Sequence, residues 1–81
     1  MLHADGKALN RCRIEMYFGD HAPPHFHIIT RSEERAAYLI ETLALQAGEA
    51  DSRDTAEALD WAAANRAELW ARWRQYSEEE L

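Results

Sequence analysis

At 81 residues, 47% apolar and 30% charged, the chain has the composition of one small globular unit; such a unit buries only about 60% of its unfolded surface. No apolar run approaches the ~20 residues of a membrane span, and residues 1–13 lack the apolar core of a signal peptide, so neither a membrane protein nor a secreted one is expected. The formal net charge of −6 lies wholly in residues 41–81, because residues 1–40 carry five basic and five acidic side chains. An acidic half repels phosphate backbones, so a nucleic acid would meet the neutral half, where Arg11, Arg13, Arg31 and Arg35 lie. A single cysteine, Cys12, forms no internal disulfide and suits a reducing cytoplasm.

Residues 1–10 show no periodicity and are expected to be irregular. Residues 11–18 alternate: Ile14, Met16 and Phe18 fall on one side, Arg13, Glu15 and Tyr17 on the other. That pattern predicts a half-buried strand. Gly19 and Asp20 form turns, and Pro23 and Pro24 supply no backbone donor. A second strand is predicted over 25–31, giving a hairpin with a stiffened loop. A third strand is expected near 35–41, after a turn around Ser32–Glu34, while 42–50 reads equally as a fourth strand or as a connector closed by Gly48.

From about Asp51 the pattern becomes helical, with Asp51 or Ser52 as cap and Leu59, Ala62 and Ala63 on one face. Asn65 with Glu68 three residues on resembles a capping box. It predicts a break, followed by a second helix with Leu69, Trp73 and Tyr76 on one face. Glu78, Glu79 and Glu80 oppose the helix dipole, so the tail 79–81 is expected to fray. The predicted fold is α+β: one domain over 11–78, in which a small antiparallel meander of three or four strands packs against two C-terminal helices. Trp61, Leu69 and Trp73 are expected to supply much of its core.

The chemistry concentrates at the hairpin. His25 and His27 are two apart on a strand and share a face, with Phe26 and Ile28 turned to the core. His21 enters from across the proline loop, and Asp20 is placed to orient an imidazole. The expected binding residues are therefore Asp20, His21, His25 and His27, converging at one solvent-reachable spot. Three readings stay open. The histidines satisfy backbone groups left unpaired by the prolines. They form a metal-free binding or acid–base cluster. Or His21, His25 and His27 ligate a divalent transition metal such as zinc, although H-x3-H-x-H matches no common zinc spacing. Cys12 is flanked by Arg11 and Arg13, which would lower its pKa, but alternation turns it away from both. No P-loop, nucleophile elbow or dinucleotide fingerprint is present.

Met16-Tyr17-Phe18, Asp20-His21, Pro23-Pro24-His25-Phe26-His27 and Glu68-Leu69 with Trp73 resemble the small bacterial DUF 4160 family, a domain of unknown function. The likeness spans roughly 11–76. The hairpin motif is fairly specific, and the E-L-x-x-x-W motif is weak alone. The resemblance implies a cytoplasmic bacterial protein, often encoded beside a second small domain and considered for a toxin–antitoxin role. It supplies no catalytic residues. The expected function is an interaction module whose partner is another small protein or a second copy in a homodimer. The alternative is a small histidine-dependent hydrolase or nuclease, metal-assisted or not. A transcriptional regulator is disfavoured by the acidic balance and the lack of a basic recognition helix.

Overall fold

In a computed structural model of the chain, residues 3–17 and 21–78 are described, the side chains of 3–6 and 76–78 excepted. Phe18, Gly19, Asp20 and the acidic tail 79–81, all named above, lie outside the described residues.

The alternation of apolar side chains builds two neighbouring strands, β2 (Cys12–Tyr17) and β3 (His25–Thr30), which pair antiparallel with Ile14 opposite Ile28 and Glu15 opposite His27. β4 (Arg35–Leu39) follows, with Phe26 opposite Tyr38 and Ile28 opposite Ala36. Cys12, Ile14, Met16, Phe26, Ile28, Ala36 and Tyr38 thus form one apolar side, and it is buried. The two C-terminal helices, α1 (Ser52–Ala64) and α2 (Arg66–Glu78), bring Ala58, Ala62 and Leu69 against that side.

The sheet has five strands in the order β1-β2-β3-β4-β5, all antiparallel, more than the three or four expected. Residues His3–Ala8, expected to be irregular, form β1 on the free edge of β2. Its sequence, HADGKA, carries no alternation of its own. The backbone bonds that β2 offers impose the strand, a tertiary effect that outweighs local propensity. The ambiguous stretch 42–50 contains β5 (Leu45–Gly48), paired to β4 with a register shift. Gly48 has φ +80°, and a Cβ there would run into the Arg35 carbonyl oxygen.

The helical region breaks at Asn65, though not by the capping box. The Asn65 side-chain amide donates back to the Trp61 carbonyl at 2.8 Å, and its backbone N–H reaches Trp61 O and Ala62 O. Its own carbonyl accepts from Glu68 N and Leu69 N. One residue therefore closes α1 and opens α2. Arg66 then donates to the Ile40 carbonyl at 3.0 Å, tying the second helix to the end of β4. The other end of α1 is capped by Asp51, whose carboxylate accepts from Arg53 N at 2.8 Å, while the Asp51 N–H donates to Glu34 at 3.0 Å. The Arg53 guanidinium, followed by the backbone bond, holds the Asp51 carboxyl down at about 2.

The core differs from expectation in its largest members. Leu69 is buried as predicted, but Trp61 and Trp73 are half-buried and rim the cluster. The largest fully buried side chains include Phe26, Ile28, Ile29 and Ile40, all delivered by the sheet region.

Three substitutions check this account. Phe26→Ala empties a fully buried site stacked 6.1 Å from Tyr38 and is expected to cost about 3–5 kcal/mol in chemical denaturation. Gly48→Ala is expected to cost more than the ~1–2 kcal/mol of left-handed backbone alone, because the carbonyl clash adds to it. The Asp51 cap has a pH signature. Its folded pKa is depressed, so the stability it gives is present above its ordinary value and is lost as pH falls towards about 2. Asp51→Ala should flatten that part of the acid melting profile.

Candidate functional site

Alternation along β3 separates two chemistries. Phe26 and Ile28 face the helices; His25, His27 and Ile29 leave the strand on the other side, and at the strand's start Trp73 of α2 still reaches the His25 ring. His25 is only 6% exposed. Its Nδ1 lies 2.7 Å from the Pro23 carbonyl, which can only accept, so Nδ1 carries the proton. The Trp73 ring, reaching from α2, stands 5.4 Å from the His25 ring. His25 is therefore a packed brace between the proline loop, the strand and α2, and it satisfies the backbone acceptor of a loop whose Ala22–Pro23 peptide is cis.

His27 is more open, and its ring centroid is 5.0 Å from that of His25 and 4.7 Å from that of Tyr17. Its cross-strand neighbours are Glu15 on β2 and Ala37 on β4. Around it runs a hydrogen-bonded chain. Arg13 Nε donates to Glu15 Oε2 at 2.7 Å, the Tyr17 hydroxyl donates to Glu15 Oε1 at 2.6 Å, and Arg35 Nη1 donates to the Tyr17 oxygen at 3.4 Å. Between the two arginines in register sits Ile29, fully buried although it lies on the side away from the helices. Long arginine stems beside such a residue cover it while keeping their charged heads in water.

The electrostatics follow from these bonds. Burial, and then the bond to Glu15, push the Tyr17 phenol up, with Arg35 opposing. Tyr17 stays a neutral donor at any physiological pH. The Glu15 bond likewise holds Arg13 firmly protonated. Arg13 meets Glu15 directly, Arg35 reaches it through Tyr17, and the Glu33 carboxylate also acts on Arg13, so the patch carries charges of both signs.

Of the expected site residues, His25 and His27 are brought together and His21 is exposed at the loop. Asp20 lies outside the described residues. Among the described residues no group of three or more His, Cys, Asp or Glu side chains is placed to hold a metal ion. Cys12 faces the core as alternation required. Burial, followed by the Glu57 carboxylate, pushes its thiol up, so it is a packing residue and not a nucleophile. Arg13, Glu15, Tyr17 and Arg35 escaped the sequence reading as a site. The strand alternation already placed the first three on the face of His27. Arg35 joins them only through the β3–β4 register.

A five-stranded antiparallel meander with two helices on one side and a braced imidazole pair on the other defines a small α+β protein with a polar, pre-bonded sheet surface. The chain belongs to the DUF4160 family, a domain of unknown function, whose model matches residues 12–74. That match takes in β2 through most of α2 and leaves β1 outside. No curated protein and no solved structure matches the chain.

One titration and one pair of substitutions test the site. By ultraviolet absorbance, Tyr17 is expected to ionise above the ordinary tyrosine value, and Glu15→Gln to bring it down. Because its folded pKa is raised, its contribution to stability is full below the ordinary value and is lost as pH rises through the folded one. His25→Ala removes a buried donor and leaves the Pro23 carbonyl unpaired, an expected loss of about 1–3 kcal/mol. His27→Ala, at a more open position, should lower the melting temperature less.

Proposed function

We propose that this chain is an interaction module. It binds another small protein through the sheet face that carries His27, as one half of a toxin–antitoxin-like pair in the bacterial cytoplasm. The supporting observation is the Arg13–Glu15–Tyr17–Arg35 chain laid around His27. Tyrosine and arginine dominate the binding energy of protein interfaces. Side chains already fixed by mutual bonds lose less conformational freedom when a partner arrives. The guanidinium donors of Arg13 and Arg35 favour a partner whose contact surface offers carboxylates or carbonyl groups. Small size fits the same reading.

A second activity has a specific observation in its favour. His25 and His27 lie with ring centroids 5.0 Å apart, beside a protonated phenol. In a histidine-dependent hydrolase or nuclease, His27 would exchange a proton with the reacting group, and His25, fixed by Pro23, would position it.

One set of preparations separates the two. The chain is produced with a candidate partner, the protein product of the gene next to its own, and the affinity is measured by calorimetry. Arg35→Ala and Tyr17→Phe are each expected to weaken binding by about tenfold or more with little change in melting temperature. Unchanged affinity in both variants would sink the interaction surface. Turnover of RNA or a phosphodiester by the chain alone, with or without added zinc, abolished by His27→Ala in a folded variant, would replace the module with the enzyme.

A further inference from the structure

The helices make their main contacts with β2 and β3. The helix-side margin of β4 and β5 is consequently left with a groove of its own, of about 380 Å³, lined by Glu34, Tyr38, Leu45, Glu49, Ala50 and Asp51. Its base is apolar: Tyr38 is buried and pairs across the strands with Leu45, which at 55% exposed is the large apolar side chain left open among the described residues. Its rim is acidic. Asp51 is answered by Arg53 at 3.0 Å, which leaves Glu34 and Glu49 to set the charge, and no cation lines the groove.

β5 itself is the last strand of the sheet, and all four of its residues are exposed. Its sequence, LQAG, holds neither lysine nor proline, the residues that ordinarily block edge pairing. No other described strand pairs with its far side. An exposed edge offers a row of backbone donors and acceptors, and an added strand places alternate side chains on each face.

We propose that the β5 edge and its groove take an extended segment of a partner protein whose groove-facing side chains, every second one along the strand, read lysine or arginine, apolar, lysine or arginine. Such a segment adds as a sixth strand. Its apolar side chain lies on Leu45 and Tyr38, and its cations meet Glu49 and Glu34. A second copy of this chain fits poorly, because it would bring its own carboxylates to the same place and carries the same net charge of −6. The surface is separate from the His27 face and does not depend on the function proposed for that face.

The test uses a blocked peptide about eight residues long, so that it overlaps the short strand and its flanks, in which every second side chain reads Lys, Val, Lys and the intervening ones are Thr. Its counterpart carries Glu in place of Lys. Binding is followed by amide chemical shifts in the full chain. The expected result is saturable shifts centred on residues 45–48, weakened by salt, with no binding of the acidic peptide. Leu45→Lys and Glu49→Gln should each weaken binding severalfold, and circular dichroism should show both folded, since both positions are exposed. Arg13→Ala on the other face should leave it unchanged. Equal binding of the acidic peptide, shifts centred elsewhere, or full affinity in both variants would overturn the proposal. So would concentration-dependent self-association abolished by Leu45→Lys, which would assign the edge to a second copy. If Leu45→Lys fails to fold, Glu49→Gln and the acidic peptide decide the matter alone.

Discussion

Side-chain alternation along β3 constrains everything else in this molecule. The strand is central in the sheet, and its two faces carry incompatible chemistries. Phe26 and Ile28 require an apolar cover, so the helices must dock on their side. His25 and His27 are then carried to the opposite face by geometry alone. A slip of one residue would put imidazoles into the helix interface and Phe26 into water, so the register is strongly specified. The pairing of Ile14 with Ile28, and of Phe26 with Tyr38, repeats the same choice on both neighbours.

The two histidines that share a face do different work. His25 is spent on structure: it is buried, bonded to Pro23 and packed against Trp73. His27 is the more accessible of the pair and sits among groups that are pinned to each other. A proline-rich loop leaves backbone acceptors to be satisfied, and a neighbouring imidazole N–H does so at low entropic cost because the strand already holds it. The same arrangement explains the proximity of the pair, since bracing His25 fixes the backbone from which His27 projects.

The outer regions of the fold divide the surface by charge. The His27 face interleaves Arg13 and Arg35 with carboxylates, and the β5 margin is acidic. The far end of the sheet is closed differently. The β1–β2 turn is clamped to α1 through Asn10 and Glu57 at 3.0 Å and through Arg11 and Asp54 at 3.1 Å. α1 is thus held at the β1–β2 side by charged groups and at its start by Asp51 on Glu34. These ties keep it over β2 and β3, and β5 stays uncovered as a result.

Much of this was legible in the residues themselves. The hairpin, its proline loop, the shared face of His25 and His27, the core-facing Cys12 and the break at Asn65 all rest on local rules: a period of two, the missing proline donor and the capping chemistry of asparagine. These rules act within a few residues, so one chain suffices to apply them. What they could not reach is whatever depends on a partner distant in sequence. HADGKA is a strand because β2 has an edge to offer, and Leu45–Gly48 because β4 has another. Trp61 and Trp73 sit at the rim because sheet side chains such as Phe26 and Ile28 already fill the centre. Arg35 joins Tyr17 through a register that only the folded sheet sets. The sequence by itself determined which side chains share a face, because that follows from backbone geometry; only the tertiary structure decided which faces are covered, because cover is a contest among elements for the same apolar surface.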